Sequence, residues 1–227
     1  GAFDGGTGTA KYTRDGVTNI AAATYNNLQF LPGGATGNYI LGNNSSQTIT
    51  VNGNLDIGRD VNGVAIDADT YDPAVTVKGN LTVGYCSASC GANQVTITKG
   101  TGTWTLSPTG TKTWTDNNST KQDIGIVSIS AGASTPQISL GSSVKAQSVT
   151  IAVSHILSAN GANTMTLTGT GTPFTVTGTF TPSTGTVTYE GTSATNVAGT
   201  TYYNLNVGGS GTTATYTAAG NATVSNV

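Results

Sequence analysis

Charged residues are scarce in this chain. They make up 8% of its 227 residues, and the formal net charge is −2, whereas ordinary soluble domains carry about a quarter. Without a basic field the chain has no electrostatic attraction for nucleic acid or anionic lipid, so neither is expected as a partner. No apolar run reaches the roughly 18 to 20 residues that a membrane-spanning helix needs, so no membrane span is predicted.

Residues that favour helices are also nearly absent. Glu190 is the single glutamate, and Thr and Val are abundant and interrupted by Gly and Asn every few residues. Apolar residues alternate with Thr at 47–51, 164–168 and 186–189. Alternation with a period of two, in β-branched residues, predicts an all-β chain.

Metal-binding and nucleophilic residues are few. With only His155 available, Cys86 and Cys90 cannot complete a four-ligand zinc site, and their CxxxC spacing is not the CxxC of a redox motif. The spacing favours a local disulfide that staples a protruding turn, with two free buried thiols as the alternative. A disulfide implies a location outside the cytosol. His155 lies next to apolar residues in the segment 153–157 and is expected to be a hydrogen-bonded structural residue.

Half of the ten carboxylates fall between residues 56 and 72. Within this stretch Asp67, Asp69 and Asp72 offer oxygen ligands of the kind that Ca²⁺ prefers, although the spacing is not that of an EF-hand. The alternative is a solvated loop. Calcium is therefore the one cofactor considered, and no catalytic carboxylate pair, nucleophile elbow or phosphate-binding loop is present.

The two tryptophans admit two interpretations. The faces of Trp104 and Trp114 suit a platform on which sugar rings stack, and burial in a core is the alternative. The segments 103–106 and 111–115 flank a turn-forming tetrad, 107–110, so a hairpin is considered at this place.

A long repeat dominates the chain. Residues 1–39 align without a gap on residues 178–216, with 16 of 39 positions identical, including the tyrosines at 12, 25 and 39. Scarce residues in register indicate a duplicated structural unit. The sequence therefore predicts one unit over residues 1–177 and the start of a second over 178–227, stacked on the same solenoid.

A shorter period lies within the long one. Residues 51–58 recur as residues 77–84, a shift of 26. That length suits one rung of a parallel β-solenoid, and about seven such rungs make one long unit. The segments 59–73 and 85–92 depart from the pattern and are expected to protrude. The alternative architecture is a tandem pair of antiparallel β-sandwich domains.

Several segments resemble a known class of repeats. Residues 51–55, 169–176, 185–189 and 200–205 resemble the repeats of very large secreted bacterial surface proteins, the adhesin-like or filament-like β-solenoids. The resemblance implies a solenoid architecture and an extracellular or cell-surface location. It carries over no catalytic residue.

The favoured function is a non-catalytic structural or adhesive segment of an extracellular filament or fibre. Its expected partners are copies of itself, arranged head to tail as a homopolymer or tandem array, together with surface glycans. Two alternatives are a carbohydrate-binding or carbohydrate-active β-helix and an ice-binding solenoid. The second rests on the Thr-x-Thr segments 101–103, 164–166 and 186–188, which the tryptophans are expected to interrupt.

Overall fold

A computed structural model describes residues 6–58, 63–85, 95–130, 136–208 and 213–226 of the chain. Within these residues there are strands and turns but no helix. All the strand pairs are parallel, and they stack as a β-solenoid of about 8 turns. The predicted fold class is therefore confirmed, and the antiparallel sandwich alternative is wrong.

The strands lie on three faces, which we number in chain order, and all but one of the complete rungs contribute a strand to each face. Face I is an eight-stranded parallel sheet. Its strands are β1 (Thr9–Tyr12), β4 (Asn27–Phe30), β7 (Leu55–Gly58), β10 (Leu81–Tyr85), β13 (Thr111–Asp116), β15 (Gln137–Leu140), β18 (Ile156–Ser158) and β21 (Thr179–Thr181). Two short strands, β24 (Thr201–Tyr202) and β27 (Thr223–Val224), continue this face, with the ring of Tyr202 6.4 Å from that of Phe180.

Face II consists of two four-stranded sheets. The first contains β2 (Gly16–Ile20), β5 (Gly37–Leu41), β8 (Val64–Asp67) and β11 (Val95–Thr98), and the second contains β16 (Val144–Ala146), β19 (Thr164–Leu167), β22 (Thr186–Tyr189) and β25 (Asn204–Val207). One rung without a strand on this face separates the two sheets.

Face III begins with a seven-stranded sheet. Its strands are β3 (Thr24–Tyr25), β6 (Thr48–Val51), β9 (Ala74–Val77), β12 (Thr103–Leu106), β14 (Ile126–Ile129), β17 (Ser148–Ile151) and β20 (Phe174–Val176). The paired strands β23 (Thr195–Val197) and β26 (Tyr216–Ala218) continue it, because Thr195 bridges to Gly171 just before β20.

The core is a continuous column inside the three faces. Every second residue of a strand points inward, and inward residues of successive rungs stack in register, as Leu28, Leu55 and Leu81 do. Each of these three side chains is at most 1% exposed. Burial of a leucine stabilises the fold by about 1.5–3 kcal/mol relative to exposure, so the stacking of rungs supplies the main stabilisation.

The rungs average about 23 residues, which corrects the expected 26. The 26-residue period holds where it was seen, since Val51 pairs with Val77 and Leu55 with Leu81. Elsewhere the step varies, because Thr9 pairs with Asn27 and Leu81 with Trp114. The corner loops differ in length while the strands keep their stacking. The 26-residue shift between residues 51–58 and 77–84 therefore overestimates the mean rung length.

The 26-residue echo has a physical cause at one corner of the stack. Asn54 N–H donates to Asn27 Oδ1 at 2.8 Å, and Asn80 N–H donates to Asn54 Oδ1 at 2.9 Å, which forms an asparagine ladder. A side chain at Gly79 would place its Cβ 2.3 Å from the carbonyl oxygen of Gly53. The Gly-Asn pair therefore recurs because the corner backbones lie too close for any other residue.

Two local predictions are wrong. The strands β12 and β13 do not form a hairpin, since they lie on faces III and I and the turn between them is a corner of the solenoid. The segment 59–73 does not protrude as a whole, because β8 lies within it and pairs with β5 and β11.

Candidate functional site

The structure does not place the tryptophans on a sugar-binding platform. Trp104 and Trp114 are 2% and 1% exposed, and they are the two largest fully buried side chains of the core. Both are flanked by outward threonines, so strand alternation turns the indoles inward. The expected platform is therefore corrected to core packing, and the tryptophans do not interrupt the outer threonines.

The aspartates that suggested calcium hold their own loop together. Asp67 Oδ1 accepts the N–H groups of Asp69 and Thr70, each at 2.9 Å, and its Oδ2 accepts the Thr70 hydroxyl at 2.6 Å. Although burial acts to raise it, these hydrogen bonds hold the pKa of Asp67 below its ordinary value. Asp72 accepts the N–H of Thr101 from the next rung. No three His, Cys, Asp or Glu side chains converge anywhere in the described part of the chain.

The remaining residues singled out in the sequence are two cysteines and a histidine. Cys86 and Cys90 fall outside the described residues, so their pairing stays a prediction. His155 is buried, and its Nδ1 lies 2.9 Å from the carbonyl oxygen of Val153.

A buried polar cluster, which the sequence did not reveal, replaces the missing strand of face II. Asp116 accepts hydrogen bonds from the N–H groups of Asn118 and Gln122. Burial raises the pKa of its carboxyl group. Asn118 and Gln122 accept the N–H groups of Val95 and Ile97 at 3.0 and 3.2 Å, so side-chain amides cover the edge of β11. A single parallel bridge, between Asp123 and Lys145, connects this segment to the next strand of face II.

Outward hydroxyl groups form an unbroken line along face III, which we call the hydroxyl row. Each member stands directly opposite the next in the parallel register. The row consists of Thr24, Thr50, Thr76, Thr105, Ser128, Thr150 and Thr175. Its members lie about 4.8 Å apart along the axis, the spacing between strands. The arrangement suits hydrogen bonding to an uncharged partner that is itself periodic.

Only part of the predicted threonine pattern lies on this face. Thr103 is on face III, whereas the segments 164–166 and 186–188 stack on each other on face II. The hydroxyl row was missed because its members are one rung apart in sequence, and the rung length varies.

Three tyrosines link the first rungs. The hydroxyls of Tyr12 and Tyr25 are 3.2 Å apart, and Tyr25 donates to the carbonyl of Ala21 at 2.8 Å. Tyr39 donates to the carbonyl of Arg14 at 3.0 Å. Burial raises the pKa of Tyr39 to about 12, and it also raises the pKa of Tyr25. We call these residues the first tyrosine triad.

The second copy of the sequence makes the same contacts. The hydroxyls of Tyr189 and Tyr202 are 2.9 Å apart, Tyr202 donates to Ala198 at 2.8 Å, and Tyr216 donates to Gly191 at 2.7 Å. Each partner is the aligned residue of its counterpart. Strand register recurs as well, since Thr9 opposes Asn27 and Thr186 opposes Asn204.

The structural repeat extends beyond the sequence alignment. Asn52 N–H donates to Tyr25 and Gly53 N–H to Asn26, while Ser225 N–H donates to Tyr202 and Asn226 N–H to Tyr203. The copies differ in the loop between their fifth and sixth strands. Thr24 opposes Thr50 in the first copy and Thr201 opposes Thr223 in the second, so the loop of the second copy is four residues shorter. An ungapped alignment ends at such a loop.

The two copies start on different faces. β1 belongs to face I, but its counterpart β22 belongs to face II, directly after β21 has taken the place on face I. The next pairs follow the same rule, with β2 on face II and β23 on face III. The second copy is thus displaced by one face around the axis as well as by seven rungs along it.

Comparisons with protein-family models, with curated proteins and with solved structures gave no match. No helix long and apolar enough to cross a membrane occurs in the described residues.

Proposed function

We propose that the chain is a structural or adhesive repeat segment of an extracellular filament or cell-surface fibre, without catalytic activity. The observation that carries this proposal is the tyrosine triad, which recurs with the same partners and the same strand register. A duplicated stacking unit lengthens a solenoid without adding a reaction site. Units joined end to end through β-pairing then form a rod.

The outer surface supports the same proposal. Hydroxyl and amide groups provide hydrogen-bonding capacity, and the few charges are partly paired, as in the ion pairs Lys99–Asp123 and Lys145–Glu190. Such a surface suits contact with uncharged surface glycans rather than with charged polymers. A disulfide between Cys86 and Cys90 fits the same extracellular setting.

Electron microscopy of the native material tests this function. A rod formed by many stacked units is expected. A monodisperse particle containing a single unit would contradict the proposal.

The hydroxyl row favours ordered water as the second candidate ligand, which is the ice-binding alternative. Seven in-register hydroxyls on one face form a regular array. A thermal-hysteresis assay on the whole chain separates the two functions. Thermal hysteresis that disappears when Thr76 and Thr105 are replaced by valine would favour ice binding, and its absence would favour the structural role.

A further inference from the structure

The last described rung leaves an open edge. The strands β25, β26 and β27 are each the last strand of their sheet, and no described strand pairs with their outer edges. Their inward side chains are accordingly less covered than those of the core: Val207 is 51% exposed, and Leu205 and Tyr216 are only partly buried. Partly covered apolar side chains on these outermost described strands are the surface on which another strand layer would stack.

The same surface occurs covered elsewhere in the chain. Leu28 and Phe30, the counterparts of Leu205 and Val207, are each 1% exposed because Leu55 and Ile57 lie directly over them. Tyr39, the counterpart of Tyr216, is covered by Ile66 of β8. The layer that fits the open rung is therefore the one formed by β7, β8 and β9.

A polar contact fixes the register of that layer. Asn54 N–H donates to Asn27 Oδ1 in the covered copy. Asn204 stands at the position of Asn27 in the open rung, where the side chain of Asn226 now donates to its Oδ1 at 2.7 Å. In the open rung this oxygen already has a donor, so an incoming backbone N–H would share it with Asn226 or replace that contact.

The start of the chain does not offer the same fit. In the second copy the counterpart of β1 is β22. It stacks on β19, where Val187 covers Met165 and Tyr189 covers Leu167. In the first copy the corresponding residues are Ala10 and Tyr12. Ala10 and Tyr12 of β1 therefore match a layer like residues 164–181, and not the open rung.

We propose that the open rung binds one specific partner, a rung with the sequence of residues 54–77 from a following repeat. The incoming strands run parallel, with leucine over Leu205 and isoleucine over Val207. This inference rests on the proposed filament function and specifies its junction. Successive units then continue at residue 54 of the pattern and do not restart at residue 1.

Two extended chains of equal length test the junction. One carries residues 54–85 after residue 226, and the matched control carries residues 7–38 at the same place. The measurement is hydrogen exchange of the backbone amides of 204–207 and 216–218, with the amides of 186–189 as an internal check of folding. We expect the first extension to slow exchange at the open rung by about tenfold or more and the control to leave it unchanged.

Equal protection by both extensions, or protection by neither, would overturn the proposed partner. Val207→Asp in the first extended chain provides a second check. It should restore fast exchange at 204–207 while 186–189 stays protected, and persistent protection would also overturn the proposal. If native material forms rods but the first extension gives no protection, the filament function stands and only the junction is wrong.

Discussion

The two copies of the repeated unit have the same local structure but different burial. Leu28 in the first copy is 1% exposed, whereas Leu205, the same residue type in the same strand register, is only partly buried. The contrast is larger for the next inward residue, since Phe30 is 1% and Val207 51% exposed. Strand and register thus follow from the local sequence and the rung below, whereas burial depends on the rung above.

The tyrosine triads show which contacts need no covering rung. The Tyr39–Arg14 and Tyr216–Gly191 hydrogen bonds both form, at 3.0 and 2.7 Å, although only Tyr39 has a described strand over it. These bonds form within one rung and its neighbour. The comparison therefore separates contacts internal to the unit from those that depend on continuation of the array.

The largest expected difference comes from truncating the matched leucines. Leu28→Ala removes a fully buried side chain and should lower the free energy of unfolding by about 2–5 kcal/mol. Leu205→Ala should cost less than about 1 kcal/mol, because water already reaches this side chain. Urea unfolding monitored by circular dichroism measures both. Equal losses would show that the end rung is as well covered as the interior.

The triads should respond alike, with a smaller effect. Tyr25→Phe and Tyr202→Phe each leave a carbonyl without its tyrosine donor and should each cost about 1–3 kcal/mol. Tyr203→Phe, next to Tyr202 in sequence, is the control and should stay within about 0.5 kcal/mol. A loss at only one of the two triads would contradict their structural equivalence.

Alkaline pH should weaken the buried triad. The pKa of Tyr39 is raised from 10.0 to about 12 in the folded protein, so the folded state retains a proton that the unfolded state releases. Stability should be unaffected by this group below pH 10 and should fall as the pH rises towards 12. Tyr39→Phe should reduce the fall, as measured by urea unfolding at several pH values with Thr105→Ala titrated in parallel. An identical fall in the Phe variant would refute this cause.

The smallest effect is expected on the outer surface of face III. Thr105→Ala and Thr150→Ala change outward hydroxyls of the hydroxyl row and should alter the free energy of unfolding by less than about 0.5 kcal/mol. Val149→Ala, an inward neighbour that is 0% exposed, is the contrasting variant and should cost well over that amount. Large losses at both threonines would mean that the row itself supports the fold.

The sequence was sufficient to predict the fold class and part of its register. The residues that echo each other at 51–58 and 77–84 stack directly, because a corner with close backbones requires the same Gly-Asn pair in both rungs. The mean rung length was not predictable from this echo, since loops at the corners vary without cost to the strands. The same variation concealed the hydroxyl row.

The candidate site residues were less predictable. Trp104 and Trp114 belong to the residue type that forms sugar-binding platforms, but their inward direction depends on where the alternation of β12 and β13 begins, at Thr103 and Thr111. Asp116 gave no signal, because its partners Asn118 and Gln122 are common polar residues whose role depends on the edge of β11 beside them. The displacement of the second copy by one face could be recognised only from the order of the strands in the sheets, which a sequence alignment does not contain.

That displacement is the central claim, and electron cryo-microscopy of the native filament tests it most directly. Seven rungs and one further face correspond to an axial rise of about 35 Å per unit at the usual strand spacing. We expect the tyrosine triad to lie on the next of the three faces in each successive unit and to return to its starting face after every third unit. Triads aligned on one face along the whole filament would contradict the account.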